Sequence, residues 1–379
     1  MKIFLFLFIL IKPFIAEDDK LPEFFKSRCA KNCTFEPYYL ETESIKAFPK
    51  NCSKVCAYLL IDQNSGVTEN QLIEIFKNMK TLYGSLEVKS TQITSGKFLE
   101  GLEVIECDPG SQVMFWNNDF MVTLGLINFT STSCNIALSQ QNMTHLDLPK
   151  LKNFYTVSPE DPLPRLSIGG KQDEFCVSIQ ETNNFVISDF LNIEIIFGSF
   201  CPYLAPTIDD EKICSIENFS LQNFDPSCKR IIGNVVIQSG DEGYVGKLKN
   251  VTWIYGTLLI EGTSLESIDF FDSLEYMAGF LLGDQFIGIF DNGKLRNVTF
   301  PKLKRVRSDQ KFLMLFNRNT PQLFNPEFCW RMKKNLNSSE WHAPSIDGKN
   351  CEEIQEMYKF SNGIQLFLVF SFSVVFLNY

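Results

Sequence analysis

Two histidines, His145 and His342, are all that this chain of 379 residues offers for acid–base work near neutral pH. Neither stands in a serine, cysteine or metal motif, and the sequence holds no nucleophile elbow and no His-Glu-x-x-His. The stretch "GDEGYVGKL" approaches a phosphate loop, but five residues separate Gly240 from Gly246, one too many, and Leu248 stands where a hydroxyl would hold magnesium. The carboxylate pairs Asp209-Asp210 and Glu352-Glu353 are sequence neighbours in loop-like or exposed helical stretches, where solvation explains them. Cys29-x3-Cys33 with Cys52-x3-Cys56 comes near a zinc set without bringing a histidine close by. No catalytic residue, metal or cofactor is expected from these patterns, and the chain reads as a non-enzyme.

The ends and the cysteines say where such a chain works. "MKIFLFLFILIKPFIAEDD" puts Lys2 ahead of an unbroken apolar run, Ile3 to Ile11, and Ala16 ahead of an acidic start, the pattern of a secretory signal peptide over residues 1–16. The other end is uncharged and mostly apolar from Ile364 to Leu377. At about 1.5 Å per residue that stretch reaches roughly 21 Å, short of the roughly 30 Å hydrocarbon core. With Ser361, Asn362 and Gly363 as small residues before it, 361–379 reads as a GPI attachment signal, a short membrane anchor being the rival. Twelve cysteines and eight Asn-x-Ser/Thr sequons, at Asn32, Asn51, Asn128, Asn142, Asn218, Asn250, Asn297 and Asn337, fit an oxidising, glycosylating compartment and a cell-surface location. The balance of 35 Lys+Arg against 45 Asp+Glu, a net charge of −10 with no basic run, argues against a nucleic-acid partner.

The elements that fill the space between these ends repeat. "YGSLEVKSTQITSGKFLEGLE" at 83–103 returns as "YGTLLIEGTSLESIDFFDSLE" at 255–275, with Gly84 on Gly256, Thr91 on Thr263 and Phe98 on Phe270. The match continues upstream with Cys52 on Cys228, and downstream with Pro149 on Pro301 and "EFC" at Cys176 and Cys329. One module is therefore used twice, over 29–201 and 214–351. Within each module apolar triplets recur: Leu59-x-Ile61, Leu86-x-Val88, Val113-x-Phe115 and Ile136-x-Leu138, then Val235-x-Ile237, Leu258-x-Ile260, Gly279-x-Leu281 and Leu313-x-Leu315. One short strand every twenty to thirty residues is the mark of stacked turns that bury apolar residues only against the turns above and below. Further strand-like pieces such as "LEVIE" between the triplets favour a parallel β-helix over a leucine-rich repeat. "VTENQLIEIFKNMKTLYG" supplies a covering helix, with Thr68 as N-cap, Leu72, Phe76 and Met79 on one face and Gly84 soon after its end.

Period-two alternation then sorts the faces. If the triplets point inward, Leu60, Glu87, Met114 and Trp116 point outward in the first module, and Val236, Leu259, Phe280, Leu282 and Met314 in the second. Stacked turn on turn, these form an apolar and aromatic stripe of the kind that marks a protein contact, free of sequons.

"SCKRIIGNVVI" at 227–237 followed by "IYGTLLIEGTSLESIDFFDSLEYM" resembles the receptor L domain, the ligand-binding β-helix of the insulin and EGF receptor ectodomains. Two such units with an anchor-like tail and no kinase resemble the two-L-domain proteins of nematodes. The resemblance implies a mainly β, disulfide-rich chain of two tandem right-handed parallel β-helix (β-solenoid) L domains with short capping helices. Repeat and family layout together imply the disulfides Cys33–Cys52 and Cys214–Cys228 at the start of each unit and Cys176–Cys201 and Cys329–Cys351 at its end, with Cys107–Cys134 between neighbouring turns and Cys29–Cys56. The function implied is to bind or sequester a secreted insulin-like or EGF-like peptide, or to act as a co-receptor, with a secreted peptide or cell-surface protein as partner and the membrane reached through the tail. A carbohydrate-active β-helix enzyme and a structural or adhesion protein are the rival readings.

Overall fold

The computed structural model describes residues 22–360 apart from 171–174, 204, 281–285, 309–312 and 337–343. The apolar stretches at both ends, the sequon Asn337, His342 and Leu282 lie outside the described residues.

The chain is mainly β, its strands lie almost all in parallel sheets, and helices are few and short. In the first half, β1 (Lys54–Asp62), β2 (Thr81–Lys89), β3 (Gln112–Trp116), β4 (Asn135–Gln141), β5 (Arg165–Gly170) and β6 (Asn192–Phe197) pair in that order. Register puts Leu59, Leu86, Val113, Ile136 and Leu166 in one row, and Ile61, Val88, Phe115, Leu138 and Ile168 in the next. All ten are at most 3% exposed, so each of the four apolar triplets read in this half is an inward-facing row segment. Residues 54–57 of β1 and 81–84 of β2 belong to a second parallel ladder that continues through Val104–Glu106, Ser131–Thr132 and Asn153–Phe154. The "LEVIE" piece is the first of these short strands.

A long strand can serve both ladders only if it bends between them. In β2 the bend falls at Gly84, with φ +137° and so little room that a Cβ would lie 1.9 Å from the Ala57 carbonyl oxygen. Gly256, its counterpart in the repeat, sits at φ +152° with the Gly233 carbonyl 2.2 Å from a Cβ. Gly84 is therefore a strand corner and not a helix terminator. The helix read before it, α1 (Glu69–Phe76), ends earlier; Thr68 caps it with a full capping box through Gln71, and Leu72, Ile75 and Phe76 are buried.

The second half repeats the plan. Glu211–Ser215, β7 (Arg230–Ile232), β9 (Trp253–Tyr255), β11 (Tyr276–Gly279) and β13 (Arg305–Ser308) form one ladder. The other runs through β8 (Val235–Gln238), β10 (Leu258–Glu261), β12 (Ile287–Phe290), β14 (Met314–Asn317) and β15 (Pro344–Ile346). A shared polar device closes equivalent corners: Asn118 accepts from the Thr91 amide and hydroxyl (3.0 and 2.8 Å) and donates to the Val88 carbonyl, while Asn292 does the same for Thr263 and Ile260. Both asparagines are fully buried, so these bonds supply partners that solvent cannot.

Six disulfides join Cys29–Cys56, Cys33–Cys52, Cys107–Cys134, Cys176–Cys201, Cys214–Cys228 and Cys329–Cys351, the pairs implied by the resemblance, and no cysteine is free. Each closes a loop of 14 to 27 residues. A loop of that size contributes about 3 kcal/mol on a chain-entropy estimate.

The two halves are not independent. Trp253, Tyr255, Ala278 and Phe280 belong to the core of the first half, and the Phe200 ring stands 5.8 Å from Tyr255 and 5.6 Å from Phe280. Helix α2 (Ile179–Ile187) ends against β13, where Arg305 donates to the Val186 and Ile187 carbonyls (3.4 and 3.0 Å), to the Ser188 carbonyl and to the Asp189 carboxylate. A cation thus caps the helix end that carries partial negative charge.

One carboxylate makes a pH test of the second half. Glu242 accepts from the Ser264 amide and hydroxyl and from the Gly240 amide, and the Ser264 amide leads in holding its pKa down to about 2. The Gly240 nitrogen that a phosphate loop would need is thereby used internally. A depressed carboxyl pKa gives stability that is present above the ordinary glutamate value, about 4.3, and is lost as pH falls toward 2. Glu242→Gln is expected to lower the denaturant midpoint at pH 7 and to lose most of that difference by pH 2.5; a gap that does not change with pH would contradict this role.

Candidate ligand-binding face

The side chains between the inward rows of the first half form the outer surface of its longer ladder. One outward column runs Leu60, Glu87, Met114, Ala137, Ser167, Ile195, and the next Asp62, Lys89, Trp116, Ser139, Gly169, Phe197. Trp116 is 49% exposed, while Glu87 and Met114 are half-buried. Leu60 departs from the expectation of exposure: it is 2% exposed. The reason is at the edge of the sheet, where 38–40 runs alongside β1, the Leu40 amide donating to the Leu60 carbonyl and the Leu60 amide to the Tyr38 carbonyl.

That edge segment adds what the alternation rule could not find. Tyr38 and Tyr39 are 44% and 52% exposed and meet edge to face, ring centroids 5.3 Å apart. Tyr39 pairs in register with Leu60 at the edge of the outward column, and the Tyr38 phenol has its pKa raised, first by partial burial and then by the Glu87 carboxylate. Lys89 lies 3.9 Å from Glu87. The result is a surface of aromatic rings and a thioether interleaved with two acids, Asp62 and Glu87, and one base, Lys89, suited to a partner that brings apolar side chains and a few charges. Phe120 and Val122, 52% and 58% exposed, follow in the connection after Trp116. The tyrosine pair of the "YYL" stretch at 38–40, ahead of the first triplet, was the available signal for Tyr38 and Tyr39.

In the second half the outward column is Val236, Leu259, Gly288, Leu315, Ser345. Val236 and Leu259 are half-buried members, as expected. Phe280 and Met314 are not members: they are 2% and 1% exposed. Val235 pairs with Leu258, but the next partner of Leu258 is Ile287, a longer step along the chain, so a triplet counted at Gly279-x-Leu281 falls on the wrong ladder. Phe280 ends up between the halves against Phe200. Met314 pairs with Ile287 and points inward with Phe316, one residue out of step with Leu313-x-Leu315, and a one-residue slip exchanges the faces. Leu315 takes the outward place that Met314 was assigned. The Phe290 ring folds over Gly288 and comes within reach of Leu259, leaving a smaller and less exposed apolar surface than in the first half.

Among the described residues, one cleft of about 320 Å³ borders this face at Asp62, Thr68 and Thr91, and another of the same volume lies between the halves. The one between the halves holds Arg230, 6% exposed at its side chain, paired with Glu211 (2.7 Å) and Asp209 (3.1 Å) and bonded to Tyr255. Its charges are thus matched internally, and Asp209 and Glu211 serve a structural ion pair. Glu352 pairs with Lys333 and Glu353 caps the next helix through Asn350, so the second carboxylate pair is likewise engaged. His145 comes together with Cys176 and Cys201, but both sulfurs are committed to their disulfide. The seven sequon asparagines among the described residues are exposed or half-buried, and none belongs to the outward columns.

The family model described as Receptor L domain matches residues 51–188 and 227–336. No curated protein matches the chain.

Proposed function

Since the chain belongs to the receptor L domain family, a non-catalytic ligand-binding family, we propose that it is an extracellular binding protein that captures a secreted insulin-like or EGF-like peptide through the first-half face. The observation that carries the reading is the exposed aromatic group Tyr38, Tyr39 and Trp116 around Glu87, Lys89 and Met114, on a sheet surface that no sequon interrupts. The stacked ladders are read as two right-handed parallel β-helices, over 29–201 and 214–351, delivered by a signal peptide at 1–16 and held at the cell surface through 361–379. Sequestration or a co-receptor role follows from that placement, because nothing in the proposal requires a catalytic step. Half-buried Val236, Leu259 and Leu315 offer the second half a subsidiary contact.

The test is binding of the purified protein to a panel of insulin-like and EGF-like peptides, with Trp116→Ala, Tyr39→Ala and, as a comparison at the small side chain that pairs with Trp116 on the next strand, Ser139→Ala. Central aromatic contacts cost at least about 1.4 kcal/mol on truncation, a tenfold loss of affinity. Both aromatic variants are expected to show that loss with unchanged melting temperature. Retention of full affinity by both would move the site off this face.

A further inference from the structure

We propose that the disulfide Cys176–Cys201 is a redox-sensitive link that an external dithiol opens, with His145 as the acid that protonates the departing sulfur. One ring nitrogen of His145 and the two sulfurs lie within 4.8 Å of one another. The backbone fixes this placement: residue 145 forms a parallel bridge with Cys176, the Cys176 amide donates to the Thr144 carbonyl at 2.9 Å, and the Thr144 hydroxyl stands 2.9 Å from the His145 Nδ1. The histidine is exposed and Cys201 is half-buried, so a reductant reaches the pair from solvent on the Cys201 side, while Cys176 is 6% exposed.

Accessibility alone does not single this disulfide out. Cys107–Cys134 and Cys329–Cys351 are sealed, each of the four cysteines being at most 3% exposed. Cys29–Cys56 and Cys214–Cys228 each have one half-buried end, and Cys33–Cys52 is half-buried at both. What distinguishes Cys176–Cys201 is the imidazole, which among the described residues stands beside no other disulfide. An imidazole changes its charge near neutral pH and can hand a proton to a departing thiolate there, which a lysine does not do. A thiol beside a cation ionises more readily, and a thiol that ionises more readily departs faster from a disulfide under attack.

A thiolate of the dithiol attacks the Cys201 sulfur, the sulfur–sulfur bond breaks, and its electron pair stays on Cys176, where the His145 imidazolium supplies the proton. The second thiol of the reductant then attacks the mixed disulfide, releases Cys201 as a thiol and closes the reductant's own disulfide. The dithiol has given up two electrons and two protons, and the protein has gained two thiols. The link pins the chain where it leaves the first half: Cys176–Val177 pairs with Ser199–Phe200, and the Cys201 amide donates to the Val177 carbonyl at 3.0 Å. Phe200, one residue before the link, is the ring that meets Tyr255 and Phe280. Opening the disulfide therefore removes the covalent hold on the strand that wedges the halves together.

The experiment treats the native full chain and its His145→Gln variant with dilute dithiothreitol at pH 7, blocks the thiols formed with N-ethylmaleimide at intervals, and maps them by peptide mass spectrometry. No cysteine is free beforehand, so every label marks an opened disulfide. Cys176 and Cys201 are expected to be labelled about tenfold faster than Cys33 and Cys52. His145→Gln is expected to remove that lead while leaving the rate at Cys33 and Cys52 and the melting temperature of the oxidised protein unchanged. Protease cleavage within 202–213 should accelerate in step with labelling at Cys176 and Cys201. Earlier labelling of Cys33 and Cys52 in the native chain would overturn the assignment of the labile link. Equal rates at Cys176 and Cys201 in the two proteins would overturn the part given to His145, and opening without faster cleavage would overturn the hold on the halves.

Discussion

Gly84→Ala is expected to prevent secretion of folded protein, with a destabilisation of at least about 3 kcal/mol. Two costs add at this position. The backbone sits at φ +137°, where an alanine is strained, and the new methyl would lie 1.9 Å from the Ala57 carbonyl oxygen. The obstacle is main chain of the neighbouring strand and not a side chain that can rotate away, so relief requires β1 and β2 to part just where both ladders draw on them. Gly110→Ala separates the two costs: φ is +91° there but nothing lies within 4 Å of a Cβ, so only the conformational cost, on the order of 1 kcal/mol, applies. Secretion yield and thermal midpoint of the two variants decide the matter; equal behaviour would show that the corner tolerates a side chain.

Arg305→Ala is expected to loosen the halves from one another. The Arg305 guanidinium serves three carbonyls at the end of α2 as well as Asp189. Asp189 is 75% exposed at its side chain and is solvated without its partner, so the lost ion pair itself counts for little. The Val186 and Ile187 carbonyls are the larger issue, and leaving them without this donor costs about 2 kcal/mol. Arg307, two residues on, makes a contrast. It is half-buried, its pKa is lowered to about 10 first by the loss of solvent around it and then by Arg305, and it donates to the Ser188 carbonyl at 3.3 Å; the Nε of each arginine finds no partner among the described residues. A base whose folded pKa is depressed carries its charge at a penalty that is in full force below that value and is relieved as pH rises through it. Replacing it by an apolar residue is therefore expected to be neutral or stabilising. Protease cleavage within 202–213 should accelerate in Arg305→Ala and not in Arg307→Leu. The opposite order would assign the clasp to the wrong arginine.

Much of the first half was legible because its repeat is regular. Leu59, Leu86, Val113 and Ile136 recur at nearly even steps, and each sits in a strand whose neighbours obey simple alternation. The second half lost legibility at one turn, where the step from Leu258 to Ile287 is longer than the one from Val235 to Leu258 and nothing in the local composition marks the extra length. Phe280 and Met314 were misplaced by that turn and by the one after it. Asn118 and Asn292 were not legible at all as a pair of corner braces, because an asparagine's role here depends on which carbonyl and which amide the neighbouring turn presents.

By itself the sequence determined the doubled module, the inward triplets of the first half, the capped helix after Thr68, and the absence of any catalytic motif. These depend on local spacing, which a linear chain displays in full. The tertiary structure alone decided that Tyr38 and Tyr39 complete the exposed face, that Phe280 is interior, and that Arg305 ties the halves together. Each of those facts is a meeting of residues far apart in sequence, and exposure is a property of what else lies nearby, which no stretch of residues records about itself.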